Sequence, residues 1–160
     1  MLLFLLARAV TYSTLFVGLT LIFLPARVLS ASGIVRPAAI GPWQVAGVVA
    51  GVAGAAVGLW CILTFVFVGR GTPAPFDPPR RLVIRGPYRV VRNPMYIGAG
   101  VAVSGAALFY QSLALLGYVG VFLLTMHVFV IGYEEPTLRR LFAQQYTAYC
   151  QNVGRWWPRA

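Results

Sequence analysis

The stretch at residues 95–133 carries no formally charged side chain, and this constrains the fold more than any other feature of the chain. A single helix of that length would extend over roughly 58 Å, since an α-helix rises about 1.5 Å per residue. The apolar layer of a membrane is only about 30 Å thick. The polar pair Gln111-Ser112 interrupts the stretch near its middle. We therefore predict a helical hairpin with arms at residues 95–110 and 113–133.

The composition places this hairpin in a membrane. Hydrophobic residues make up 59% of the 160 residues and charged residues only 10%, too few to coat a soluble globule. Two earlier apolar stretches, at residues 9–26 and 43–69, are also long enough to cross a bilayer. Pro25 and Arg27 mark the expected end of the first. We predict an all-α integral membrane protein with about four transmembrane helices, forming one domain over residues 1–160.

Four glycines recur along the second apolar stretch at helical spacing. Gly47, Gly51, Gly54 and Gly58 fall on one face of a helix. Small residues at such a spacing let two helix backbones approach closely in a membrane. Residues 1–69 are therefore predicted to form two packing helices, and the glycine face is predicted to contact another helix.

The basic residues indicate which side of the membrane each loop occupies. All 13 are arginines, and the net charge is +10. Six lie in residues 70–92 and four in the tail, whereas the loop after the first stretch holds two. Positively charged loops stay on the cytoplasmic side, so four crossings place both termini there. We expect contact with membrane lipids and no nucleic acid partner, because no soluble basic domain is present.

The tail after the hairpin has the pattern of an amphipathic helix. Pro136 suits the first turn of a helix. Apolar and polar side chains then separate onto two faces, the apolar face comprising Leu138, Leu141, Phe142, Tyr146 and Tyr149. This pattern predicts a C-terminal helix that lies on the cytoplasmic membrane surface or packs under the bundle.

Several common sites are not indicated. The two cysteines form no CxxC or Cys/His cluster, so we expect neither a metal nor a disulfide. No glycine-rich motif follows a strand, which excludes a Rossmann cofactor fold. The single histidine, His127, lies within a predicted span and is expected to be a hydrogen-bond donor in the core.

Candidate site residues collect at the cytoplasmic ends of the predicted spans. Glu134 and Glu135 follow the apolar stretch directly, either as partners of a guanidinium or ligand or as a solvated helix start. Arg89 and Arg92 stand three residues apart, so one helical face could present both to a carboxylate, although lipid contact also fits.

The start of the third predicted span offers further candidates. Asn93-Pro94 suits a helix start that Asn93 caps, and free amides there can receive an anion. Gly98 lies in the first turns, where a missing side chain permits either a flat ligand or another helix to approach.

Two motifs resemble those of one enzyme superfamily. Gly86, Tyr88, Arg92, Asn93, Pro94, Tyr96 and Gly98 match a G-x-Y-x-x-x-R-[HN]-P-x-Y-x-G pattern. Glu134, Glu135, Leu138, Phe142, Tyr146 and Tyr149 match an E-E-x-x-L-x-x-x-F-G-x-x-Y-x-x-Y pattern. With the ending "RWWPR", residues 70–160 resemble the isoprenylcysteine carboxyl methyltransferase and phospholipid methyltransferase superfamily, especially its small bacterial members. Ala143 and Gly154 depart from its usual Gly and Pro.

The resemblance implies an S-adenosylmethionine-dependent methyltransferase core at residues 70–160, in a bacterial plasma membrane. It implies a cofactor pocket at the cytoplasmic edge, which a lipophilic or lipid substrate enters from the bilayer. The cofactor-binding residues it implies are Gly86, Tyr88, Arg92, Asn93, Tyr96, Gly98, Glu134, Glu135 and Tyr146. Arg89 and Arg155 would orient the substrate.

The chemical class of the methyl acceptor is inferred from whether transfer would need a base. A carboxylate is already ionised at neutral pH, whereas an amine must first lose a proton. Since few candidate bases lie near the implied pocket, we expect a carboxylate such as an isoprenylcysteine-like group. A phospholipid or small-thiol acceptor, a nicotinamide-dependent membrane reductase and a non-catalytic membrane protein remain alternatives.

Overall fold

The computed structural model describes residues 2–69 and 81–159, with the side chains of residues 2–6 and 9 excluded. Within these ranges the regular secondary structure is helical, as predicted. The α-helices are α1 (Leu2–Val17), α2 (Leu24–Ala31), α3 (Pro42–Thr64), α4 (Pro94–Tyr110), α5 (Leu113–Phe129) and α6 (Glu135–Asn152). Wider π-helical segments join or extend them at Gly18–Phe23, Phe65–Gly69 and Val130–Glu134, and a 3₁₀ turn forms at Gly86–Arg89.

Three helices of the described chain are long and apolar enough to cross a membrane: Val10–Ala31, Pro42–Gly69 and Leu113–Asn152. Helix α4 is apolar but shorter. The hairpin is confirmed, because α4 ends at Tyr110 and α5 starts at Leu113. Gln111 turns the chain with a left-handed backbone (φ 50°), and the Ser112 hydroxyl accepts a hydrogen bond from the Leu115 amide.

The predicted end of the first helix, at Pro25, is wrong, because the helix continues to Ala31. Proline lacks an amide hydrogen, and its ring clashes with the carbonyl four residues earlier in a regular helix. A π-helical segment ends two residues before Pro25, and another ends two residues before Pro136. A widened turn relieves this clash, so both prolines are accommodated within continuous helices.

Close packing of α3 against α4 organises the bundle. A Cβ on Gly47 would lie 2.6 Å from the carbonyl oxygen of Gly105, and a Cβ on Gly54 would lie 2.5 Å from that of Gly98. The two backbones therefore touch, as the glycine spacing predicted. Not every glycine of that face takes part equally: a Cβ on Gly58 would meet nothing within 4 Å.

Helix α6 contains one strained position. Ala143 has φ 40° and ψ −114°, which is non-helical and lies on the side of φ that favours glycine. The helix bends there, and Tyr146 and Tyr149 beyond the bend are buried. The predicted apolar face is thus partly confirmed, although Leu141 remains exposed.

We expect Gly54→Ala to lower the melting temperature of the detergent-solubilised protein, because the new methyl group would overlap the backbone of α4. Overpacking of this kind costs about 1–3 kcal/mol. Gly58→Ala is the matched control on the same helix, and it should raise the melting temperature slightly, because alanine favours the helix and the new methyl group meets nothing within 4 Å. Equal effects of the two variants would contradict the α3–α4 contact.

We expect Ala143→Gly to stabilise the protein by about 1 kcal/mol, since glycine adopts the observed backbone without strain. Ala148→Gly is the control, because it places the same change at an exposed, regular position of α6. There glycine should destabilise by roughly 0.5–1 kcal/mol. Thermal unfolding of both variants checks the prediction, and a loss of stability in Ala143→Gly would refute the strain.

Candidate functional site

The last residues of the chain lie beside the segment that precedes α4. We call residues 153–159 the C-terminal strap. The Arg92 amide donates to the Gly154 carbonyl at 2.9 Å, and Val91 and Gly154 form a parallel bridge. The Asn93 side-chain amide donates to the Arg155 carbonyl at 3.2 Å. These bonds place the start of α4, the start of α6 and the strap around one group of charged side chains.

Glu135 lies between two guanidinium groups. Its Oε1 accepts from Arg92 Nη1 at 3.0 Å and from Arg155 Nε at 2.7 Å, while its Oε2 accepts from Arg155 Nη2 at 3.0 Å. The Glu135 side chain is only 8% exposed, so the carboxylate has exchanged water for these donors. The Glu135 carboxylate, through its hydrogen bonds, raises the pKa of Arg155, which therefore stays charged.

Arg92 is the centre of the cluster. Besides Glu135, its Nη1 contacts the Tyr146 hydroxyl at 3.4 Å and the Cys150 sulfur at 2.8 Å. Its Nε is buried and has no hydrogen-bond partner among the described residues. Two arginines and one glutamate leave one net positive charge, so the cluster still favours an anionic group.

Glu134 faces a different neighbour. Its Oε2 accepts from the Tyr96 hydroxyl of α4 at 3.1 Å. Consecutive residues point about 100° apart around a helix axis with 3.6 residues per turn. The two adjacent carboxylates therefore diverge, one towards α4 and the other towards the arginines.

Tyr88 fixes the 3₁₀ turn beneath this cluster. Its carbonyl accepts from the Tyr149 hydroxyl at 2.6 Å, and its ring packs edge-on against Phe65 at 5.2 Å. Burial raises the pKa of Tyr88, so its phenol stays neutral. Gly86 opens the turn with φ +57°, and a Cβ there would lie 3.1 Å from Trp60 Nε1.

Other candidates lie apart from the cluster or bond differently. Arg89 is exposed and its side chain has no polar partner in the described part of the chain. The expected shared helical face of Arg89 and Arg92 is wrong, because the 3₁₀ turn ends at Arg89. Asn93 does not cap α4 with its side chain, which instead reaches the strap. Gly98 faces α3, where a Cβ would lie 2.9 Å from the Gly54 carbonyl.

Two contacts escaped the sequence analysis. The Cys150 sulfur accepts a hydrogen bond from Arg92. The one sequence feature that could have indicated this contact is the position of Cys150 one helical turn after Tyr146. His127 was expected to donate, but its Nδ1 accepts from Trp156 Nε1 at 2.9 Å. No group of three or more His, Cys, Asp or Glu side chains in the described ranges could hold a metal ion.

The geometry agrees with a family relationship. A model of the phospholipid methyltransferase family matches residues 43–145, more than half of the chain, from α3 into α6. No curated protein and no solved structure matches. The chain therefore belongs to the phospholipid methyltransferase family, which confirms the resemblance and makes it a membrane methyltransferase by class.

We expect Glu135→Gln to destabilise the protein by roughly 2–4 kcal/mol, because Arg92 and Arg155 would lose their shared carboxylate. Glu134→Gln is the matched control: the amide oxygen still accepts from Tyr96, so the loss should stay under about 1 kcal/mol. Chemical or thermal unfolding in detergent measures both, and equal losses would contradict the different roles of the two carboxylates.

Proposed function

We propose that the protein transfers a methyl group from S-adenosylmethionine to a lipophilic acceptor at the cytoplasmic edge of a bacterial plasma membrane. One observation carries the proposal: Arg92 and Glu135 come from separate motifs, 43 residues apart, and meet at 3.0 Å. The family relationship supports methyl transfer.

The residues around the cluster fit the chemical groups of this donor. Arg92 Nε is a buried donor that lacks a partner among the described residues, and a carboxylate would satisfy it. Glu134 and the Tyr96 hydroxyl offer hydrogen-bonding oxygens to an ammonium group or to ribose hydroxyls. The rings of Tyr88 and Tyr146 supply aromatic surface beside these groups.

When bound, S-adenosylmethionine would supply a methyl group activated by its sulfonium; the acceptor would bond to the methyl carbon as the carbon–sulfur bond breaks, and S-adenosylhomocysteine would leave. The protein then has to orient the reactants and exclude water. Arg92 and Glu135 hold each other in place before any ligand arrives, so little reorganisation is needed when it binds. Tyr146, buried beside Arg92, helps to keep water out.

We favour a carboxylate acceptor, such as an isoprenylcysteine-like group. The two guanidiniums on Glu135 make it a poor base, and Glu134 already accepts from Tyr96. A carboxylate needs no base, and the exposed guanidinium of Arg89 is available to orient it. Arg155 contributes through Glu135, to which its guanidinium is bonded.

A phospholipid acceptor is the second candidate, and the family relationship is the observation that favours it. Its amine would have to lose a proton before transfer. Of the two carboxylates among the described residues, Glu134 is the one without an arginine partner, so it would be the candidate base. A small thiol acceptor would need a base less than an amine does, because a thiol loses its proton at lower pH.

The proposed topology has four crossings, with α4 as the fourth beside the three longer helices. The segment before α4 and the strap then lie in the cytoplasm with both termini. Part of this segment, residues 70–80 with two of its arginines and Asp77, is outside the described residues. Helix α6 would lie at the inner membrane surface, where Arg139 and Arg140 are exposed to headgroups.

Donor binding tests the proposal first. We expect purified protein in detergent to bind S-adenosylmethionine by calorimetry. Glu135→Gln should weaken binding about ten- to a hundredfold, because Arg92 loses the carboxylate that holds it and with it one or two charge-assisted hydrogen bonds to the donor. A nicotinamide dinucleotide serves as the competing ligand. Binding of that nucleotide without S-adenosylmethionine would establish a reductase instead.

Labelled donor then identifies the acceptor. A prenylcysteine, phosphatidylethanolamine and a small alkyl thiol should be compared under the same conditions. We expect transfer to the prenylcysteine; transfer to phosphatidylethanolamine alone would establish the second candidate. Donor binding without transfer to any lipophilic acceptor would contradict the proposed reaction.

A further inference from the structure

Besides its backbone bonds to Arg92 and Asn93, the strap contacts side chains of the helix Leu113–Asn152 at two well-separated points. At one, Arg155 donates both Nε and Nη2 to Glu135. At the other, the neighbouring Trp156 donates its indole N–H to Nδ1 of His127 at 2.9 Å, with the two rings 5.9 Å apart. His127 precedes Glu135 by eight residues on the same continuous helix, which is about 12 Å of helix length.

Two side-chain attachments restrict the strap more than one attachment does. Bonds to the backbone carbonyls of the strap, from Arg92 to Gly154 and from Asn93 to Arg155, hold the strap beside α4, but neither holds the Arg155 side chain, which has many rotamers. The Trp156–His127 bond ties the next residue to the helix that carries Glu135, and it thereby limits how the Arg155 side chain approaches that carboxylate. The strap also turns sharply at Gly154, where a Cβ would overlap the Trp157 carbonyl oxygen.

We propose that Trp156 and His127 form a latch that positions Arg155 on Glu135 and thereby sets the affinity of the site for the methyl donor. The inference rests on the proposed function, because it concerns how the same carboxylate is held. Both are positioning residues that act through Arg155. Trp156 lies outside the residues that match the family, so the family relationship does not assign it this role.

The latch has a precise chemical requirement. His127 must present an unprotonated nitrogen as acceptor, and Trp156 must supply an N–H. Trp156→Phe removes the donor and keeps an aromatic ring. His127→Leu removes the acceptor, whereas His127→Asn keeps one, because the Asn amide oxygen occupies nearly the place of Nδ1. Trp157→Phe is the matched control, since Trp157 is 81% exposed.

Calorimetric titration of the full-length variants with S-adenosylhomocysteine tests the latch. We expect Trp156→Phe and His127→Leu each to weaken binding about three- to tenfold, the value of one hydrogen bond. The double variant should be no weaker than either single one. His127→Asn and Trp157→Phe should remain within about twofold of the wild type, which a merely structural loss of packing would not produce.

Hydrogen exchange gives a readout that needs no ligand. The Arg92 amide donates to Gly154 of the strap, so a released strap should speed its exchange in Trp156→Phe but not in Trp157→Phe. If Trp156→Phe does not fold, the comparison of His127→Leu with His127→Asn carries the same test.

The outcomes separate the two proposals. Unchanged affinity and unchanged Arg92 exchange in Trp156→Phe and His127→Leu would overturn the latch while the methyltransferase proposal stands. Equal losses in Trp156→Phe and Trp157→Phe would also overturn it. A wild-type protein that does not bind S-adenosylhomocysteine would overturn the proposed function and this inference together.

Discussion

The rest of the site depends on one carboxylate that is shared by two guanidiniums. Glu135 joins Arg92, before α4, to Arg155, in the C-terminal strap, and it is itself at the start of α6. The Glu135 and Arg92 side chains are only 8% and 11% exposed, and charges buried to this degree are stable only when each is matched and hydrogen-bonded. The ion pairs therefore determine where three distant segments of the chain meet, and the remaining polar side chains take their positions from this junction.

The apolar part of the bundle makes the junction possible. Glycine contacts between α3 and α4 bring two backbones together, and this fixes the position of α4 along α3. The π-helical segment Val130–Glu134 accommodates Pro136, and it places both glutamates just after the end of α5. Helix packing and site geometry are thus coupled: the residues that let helices approach also fix the direction in which the charged residues point.

The two adjacent glutamates show how one short motif can serve two purposes. Glu135 is neutralised by arginines and is suited to holding structure and ligand together. Glu134 meets only the neutral Tyr96 hydroxyl among the described residues and is suited to contact with a cationic or hydroxyl group. A strained Ala143 follows in α6, and in the strap a Cβ on Gly154 would overlap the Trp157 carbonyl oxygen.

The sequence by itself determined the helical class, the membrane setting, the break at Gln111-Ser112 and the family, because these depend on composition, local spacing and short motifs. It also indicated that Arg92 and the glutamates belong together. Only the tertiary structure decided that Glu135 rather than Glu134 pairs with arginines, that Arg155 bonds to Glu135, that Arg89 is exposed and that Trp156 bonds to His127. Those pairings join residues that are 20 to 43 positions apart, or they depend on which of two adjacent side chains, about 100° apart around the helix, faces the arginines, and no local pattern encodes either.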